Sequence, residues 1–377
     1  MAKLKHLILC VVIAGILNLG TSARAAADFQ QGYMAYQRGD DATALIEWRP
    51  LAENGDARAA YWIGAVYDRG NGVPRDQVQA ANWYRRAAEE GLAKAQFNLG
   101  HMYMQGDGVA QDFAQAALWY ERAAKQGDPY AQFNLGYLYQ RGIGVTSDDT
   151  VAAEWYRRAA EQGLADAQTN LGLLYDVGTG VPQDDAAALG WYQMAAEQGD
   201  ARAQYNLGAL HANGEGLPVD VDGALEWYRR AAKQGYAPAQ YRLGTMYADG
   251  DLVAQNHVQA VRWFKPAAEN GLADAQNYLG LLYEEGRGVA ENNDQAVRLF
   301  SLAADQGYNL AQYNLGAMYF KGEGVAKDMV QALMWFQIAA GGGHKDAAKV
   351  RDQLIERMTP EQVAEAAALA QARMRPR

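Results

Sequence analysis

Apolar positions in this chain follow two superimposed periods. Over short stretches they recur at i, i+4 and i+8, as at Ala95, Leu99 and Tyr103, which places them on one face of a helix. Over long stretches the whole pattern returns every 36 residues, marked by Gly64, Gly100, Gly136, Gly172, Gly208, Gly244, Gly280 and Gly316. A second glycine column runs from Gly91 to Gly343 and an alanine column from Ala80 to Ala332, both in the same register. Self-similarity at such a period marks a stack of supersecondary units.

One unit shows the physics. Residues 92 to 105 are predicted to form a first helix, helix A, in which Gly100 lets a neighbouring helix come close. Gly106 and Gly108 break that helix, and Val109 plugs the loop into the core. Asp112 is placed to cap the second helix, helix B, and its column (Asp76, Asp112, Asp148, Asp184, Asp220, Asn256, Asn292, Asp328) holds only good capping residues. Helix B buries Ala116, Tyr120, Ala123 and Ala124, and Gly127 ends it. Neither helix buries its apolar stripe alone, so each unit must stack on the next. The expected fold is therefore all-α, a right-handed α/α superhelical solenoid of helix-turn-helix repeats.

The expected organisation has four parts. Residues 28–55 form a partial capping repeat with Ala44, Trp48 and Gly55 in the helix B columns, and residues 56–343 hold eight 36-residue repeats. Residues 344–377 form capping helices: one from His344 to Met358, then another opened by a Thr359-Pro360-Glu361-Gln362 capping box. Residues 1–25 read as a signal peptide, with Lys3 and Lys5, the apolar run Leu7–Leu19 and the small-x-small site Ala23-Arg24-Ala25. That run is shorter than the roughly 20 residues that span a bilayer, so no transmembrane segment is expected after cleavage. An exported, periplasmic or secreted protein is the expectation.

Charge and composition narrow the function. The formal charge is −10, and loss of Lys3, Lys5 and Arg24 makes the mature chain more acidic still, which argues against nucleic acid as a partner. The single cysteine, Cys10, lies in the signal, so no disulfide framework is available. Beyond the signal only Ser147 and Ser301 could serve as serine nucleophiles, four repeats apart. His101, His211, His257 and His344 fall in different units without metal-ligand spacing. No catalytic residue, metal or cofactor is expected.

The pattern A-x-A-Q-x-N-L-G-x-x-Y, then G-x-G-V-x-x-D, then A-x-x-W-Y-x-x-A-A-x-x-G resembles the Sel-one-like repeat family, a branch of the tetratricopeptide-like solenoids. Ala131-Gln132-Phe133-Asn134-Leu135-Gly136 with Trp155-Tyr156-Arg157-Arg158-Ala159-Ala160 is a near-complete instance. The resemblance implies a protein or peptide ligand and an adaptor role, in signalling, exopolysaccharide control, envelope organisation or contact with host cells. A scaffold of the envelope, in some settings an inhibitory one, is the leading expectation. Cysteine-rich relatives described as acting on β-lactams make a secreted hydrolase the alternative; the repeats here contain no cysteine, which argues against it.

In tetratricopeptide-like solenoids helix A lines the concave groove. The stripe Lys94, Phe97, His101 and Met104 would then face a partner. The expected partner-binding residues are Phe97, Asn98, His101, Phe133, Asn134, Tyr137, Asn170, Tyr205, Asn206, Tyr241, Arg242, Tyr313 and Asn314. Two questions stay open at this point. The aromatic column (Tyr61, Phe97, Phe133, Thr169, Tyr205, Tyr241, Asn277, Tyr313) either lines the groove or packs on the next helix A. The asparagine column either grips a peptide main chain or bonds neighbouring repeats. Three departures carry expectations of their own. His211, in the Tyr103 column, reads as a satisfied core histidine. Pro50 and Pro266 should kink their helices or end them early. Leu252, in place of a loop glycine, should alter its loop and, with Pro266, the local superhelical pitch.

Overall fold

The computed structural model describes residues 29–374. The expected export signal, residues 1–25, lies outside them. The chain divides into two compact units, one ending at Trp191 and one beginning at Tyr192, within the helix Asp185–Glu197. In the first unit a helix over 29–37 and the helix Asp41–Glu53 precede the pairs Ala57–Arg69 with Gln77–Glu89, Ala93–Gln105 with Phe113–Lys125, and Pro129–Arg141 with Asp149–Glu161; Ala165–Val177 follows. In the second unit four pairs run from Ala201–Asn213 with Val221–Lys233 to Asn309–Lys321 with Met329–Gly341. The helices Lys345–Ile355 and Pro360–Met374 close it. The described residues contain helices and turns but no strand, and each unit is an α/α solenoid segment.

Local chemistry explains the punctuation. Asp112 Oδ1 accepts from the N–H groups of Ala114 and Gln115, both at 3.0 Å, and starts helix B. Asp76, Asp148, Asp184, Asp220, Asn256, Asn292 and Asp328 do the same for theirs. The final helix opens on a reciprocal capping box: Thr359 N–H donates to Gln362 Oε1 at 3.1 Å, and Gln362 N–H to Thr359 Oγ1 at 3.3 Å. Two predicted boundaries contract. The first helix of the worked unit begins at Ala93, because Leu92 has extended backbone and acts as its N-cap. The helix expected over 344–358 spans Lys345–Ile355, with His344 Nδ1 capping it by accepting from Ala347 N–H.

The core is a column of helix B rings laid over helix A glycines. Tyr84, Tyr120 and Tyr156 in the first unit, and Tyr228, Phe264, Phe300 and Phe336 in the second, are at most 2% exposed. A Cβ at Gly136 would stand 2.9 Å from Tyr156 Cδ1, closer than packing allows. The glycine thus admits both an aromatic ring and the helix B backbone, whose Ala152 carbonyl oxygen would lie 3.2 Å from the same Cβ.

The expected early helix ends and the altered loop do not occur. Pro50 and Pro266 lie inside helices that keep the 13-residue length of their neighbours, Asp41–Glu53 and His257–Glu269, so neither ends its helix early. Each still removes one N–H donor, leaving the carbonyl four residues back (Ile46, Arg262) without its helical partner, yet the helix runs on for three more residues. Leu252 takes a φ of 63°, matching 71° at Gly288 and 65° at Gly324 in the same loop position. The loop therefore keeps its backbone instead of changing it. Leu252 and Val253 pack against the core around Met246, which offsets the cost of about 1–2 kcal/mol for a left-handed non-glycine residue.

Candidate partner-binding faces

Each helix A presents its half-buried ring on a fixed seat. In the first unit Phe97 packs on Tyr120 and Phe133 on Tyr156, both with centroids 5.7 Å apart. In the second, Tyr205 packs on Tyr228 at 5.5 Å, Tyr241 on Phe264 at 5.8 Å and Tyr313 on Phe336 at 5.5 Å. The seat is helix B of the same repeat. Contacts onward accompany these: Phe97 meets Tyr130 at 6.3 Å, Tyr205 meets Tyr236 at 5.7 Å, Tyr241 meets Tyr278 at 5.9 Å, and Tyr313 stacks on His344 at 4.7 Å, closer than on Phe336. All five rings are half-buried. Two members of the column do not share that role. Thr169 and Asn277 are buried and present nothing to a partner.

The asparagine column bonds between repeats where its partners are seen. Asn98 shares hydrogen bonds with the hydroxyls of Tyr61 and Tyr84. Asn314 Nδ2 donates to Asn277 Oδ1 at 2.9 Å. Arg242 bonds the Tyr228 hydroxyl and donates to Asp251 Oδ2 at 3.0 Å. Burial raises the Tyr61, Tyr84, Tyr228 and Tyr241 phenols above their usual value, so they stay neutral hydrogen-bonding groups. Asn134, Asn170 and Asn206 are half-buried. His101 and Tyr137 are the exposed members of the expected set.

The first unit gathers part of this surface into a groove of about 420 Å³. Tyr61 and Lys94, both from the expected columns, line it with Phe29, Tyr33, Arg58 and Trp62. Phe29 and Tyr33 belong to the first described helix and were outside the expected set.

Helix B carries its own motif, exposed arginines over tryptophans that are buried or half-buried. Arg86, Arg122 and Arg158 lie over Trp83, Trp119 and Trp155, with the guanidinium carbon 4.4–4.8 Å from the ring centroid, and Arg230 lies likewise over Trp227. His211 departs from expectation: its buried Nδ1 stands 3.5 Å from Asp220 Oδ2 but makes no hydrogen bond. Ser301 Oγ donates to Val297 O at 2.8 Å, one turn back along its own helix. Among the described residues no group of three or more His, Cys, Asp or Glu is placed to hold a metal ion, and no helix is long and apolar enough to cross a membrane.

A feature that the sequence reading missed ties the repeats together. Gln96, Gln132, Gln204, Gln240, Gln276 and Gln312 are buried on helix A, each at most 5% exposed. Their Nε2 groups donate to helix B carbonyls of the preceding repeat, those of Ala88, Ala124, Ala196, Ala232, Ala268 and Ala304, at 3.0–3.2 Å. The 36-residue recurrence of glutamine is visible in the chain, but nothing in a polar residue type announces burial.

Tandem helix pairs on a 36-residue period, with rings seated between the helices of each pair, define a helical-repeat interaction protein. The Sel1 repeat family model matches eight consecutive segments, from 57–92 to 309–344, and the chain belongs to that family. It is similar to a Sel1 repeat protein from Oxalobacter formigenes, at 35% identity over 82% of this chain and 90% of that one, with a TM-score of 0.69. It is also similar to c5321, a protective antigen of uropathogenic Escherichia coli strains with an SLR fold, at 32% identity over 94% of this chain and 85% of that one, TM-score 0.60. No match is found among curated proteins. Sel1 repeat proteins are in general protein-interaction scaffolds and typically non-catalytic.

Proposed function

We propose that the chain is an exported scaffold of the bacterial envelope that binds a protein or peptide through its helix A faces. The observation that carries this is the seating of the half-buried rings Phe97, Phe133, Tyr205 and Tyr241. Each is held by a helix B aromatic, so it loses little freedom when a partner covers its exposed part. Aromatic anchors of this kind concentrate binding energy. Export rests on the basic residues, apolar run and small-residue site of residues 1–25.

The test uses surface variants that leave the core alone. His101→Glu and Tyr137→Glu change exposed helix A positions, and Glu121→Lys changes a partly exposed helix B position. Affinity retrieval from the envelope fraction should lose a discrete partner with the first two and keep it with the third. Loss with Glu121→Lys alone overturns the assignment of the face. A fusion to a phosphatase active only outside the cytoplasm should be active with residues 1–25 and silent without them.

A further inference from the structure

A carboxamide ladder ends in the last repeat. In five repeats the side-chain amide at the helix B C-cap donates to the buried glutamine of helix A. The distances are 2.8 Å for Gln126 to Gln96, 2.8 Å for Gln162 to Gln132, 2.9 Å for Gln234 to Gln204, 3.4 Å for the shorter Asn270 to Gln240, and 2.9 Å for Gln306 to Gln276. From Gln126, Gln234 and Asn270 the same nitrogen also donates to a glycine carbonyl, of Gly91, Gly199 and Gly235, at 2.9, 3.0 and 3.3 Å. Two convergent acceptors thus receive the two hydrogens of one primary amide.

In the repeat 309–344 the acceptors persist and the donor does not. Gln312 is 5% exposed and its Nε2 donates to Ala304 O at 3.2 Å, as in its counterparts. The residue at the donor position is Gly342. Gln312 Oε1 is buried and has no hydrogen-bond partner among the described residues. Gln312 and Gly307 both line a cavity of about 420 Å³, with Trp335, Ile338, Asp305 and Arg373 as its other main walls. Arg373 lies over Trp335 at 4.4 Å and donates to Asp305 at 2.6 Å.

We propose that this cavity binds a primary carboxamide, supplied by a glutamine side chain of a partner polypeptide. A buried carbonyl oxygen without a donor is costly, and a ligand that brings one recovers that cost. The amide's two hydrogens match Gln312 Oε1 and the Gly307 carbonyl, the pairing used elsewhere in the stack. Its methylenes lie against Trp335 and Ile338. A glutamate carboxylate brings no donor to Gln312 Oε1 at neutral pH. The rim side chains, Arg373 and Met374, are exposed, and Arg373 holds its place over Trp335 through Asp305. The site uses none of the expected helix A residues, so it stands or falls apart from the proposed binding face.

The probe is acetyl-glutamine methylamide, read by fluorine NMR of full-length protein labelled with 5-fluorotryptophan, with the Trp335 resonance assigned by Trp335→Phe. The Trp335 signal should shift saturably at millimolar concentrations. Acetyl-glutamate methylamide should bind about tenfold more weakly or less, the factor for one lost bond to a buried acceptor. Gln312→Met should weaken the amide probe by a similar factor. Gly342→Gln supplies the ladder's own donor. Because a Cβ at 342 would meet Asn309 Oδ1 at 2.1 Å, it is made together with Asn309→Ala. This pair should abolish the shift, while Asn309→Ala alone keeps it. Equal affinity for the two probes, binding that survives the Gly342→Gln pair, or no saturable shift in the parent protein would each overturn the proposal.

Discussion

Gln126 Nε2 donates to Gln96 Oε1 at 2.8 Å, and Gln96 in turn donates to Ala88 O in the preceding repeat. Helix B, helix A and the previous helix B are thereby joined through the buried Gln96, with the exposed Gln126 closing the link from the surface. Gln126→Ala removes the donor and strands a buried oxygen. It should cost about 1–3 kcal/mol in denaturant unfolding followed by circular dichroism. A change no larger than that of Gln115→Ala, a partly exposed helix B position outside the ladder, would show that the ladder contributes nothing.

Gly136→Ala tests the ring-over-glycine core. Its Cβ would meet Tyr156 Cδ1 at 2.9 Å and Cε1 at 3.0 Å, and the ring is fully buried with no room to retreat. Overpacking of this kind should destabilise by about 1–3 kcal/mol, although alanine is the better helix former. A more stable Gly136→Ala protein would mean that the ring column moves freely.

Leu252 at φ 63° is the opposite case. Leu252→Gly relieves the left-handed strain of about 1–2 kcal/mol but forfeits the leucine's packing. Gly288→Leu imposes the strain and brings a Cβ to 2.3 Å from the His257 carbonyl carbon. Thermal unfolding should show Gly288→Leu losing several degrees and Leu252→Gly changing much less. Equal and large losses would show that the leucine is required at 252 for its packing.

Asp41 supplies a pH signature. It is fully buried, its Oδ1 accepts from Arg69 Nη2 at 2.6 Å, and its Oδ2 has no hydrogen-bond partner among the described residues. Burial raises its carboxyl above the usual range, against the pull of Arg69. The native state therefore holds the proton to higher pH than the unfolded chain, whose value is about 3.9. The stability contributed by that protonation is full below this value and is lost as pH rises through the raised one. Asp41→Asn should remove this dependence, so its stability relative to the parent should rise across that window and then level off. A difference that stays flat across the window, or falls, would contradict the assignment.

The fold was legible because its signals were local and repeated. The Asp112 cap, the Gly127 terminator and the Thr359–Gln362 box each state their conformation in residue type, and the structure forms all three. What escaped were effects decided by neighbours. Pro266 and Leu252 break local rules, yet the surrounding stack holds their helix length and loop φ to the common values. The buried glutamines look like surface residues until the helix B carbonyls are placed around them. Of the expected binding set, the sequence located the aromatic column but not its seat on helix B. For the asparagine column, bonding between neighbouring repeats is one of the two readings open in the sequence, and Asn98 and Asn314 take it.

The helix A faces as the binding surface are tested most directly by photo-crosslinking in living cells, with a reactive amino acid at Phe133 in one protein and at Tyr205 in another. Arg158, which lies over Trp155 on helix B, serves as the comparison. A discrete adduct from Phe133 and Tyr205, and none from Arg158, is the predicted result. An adduct from Arg158 alone would contradict the account and move the binding surface to the tryptophan–arginine face of helix B.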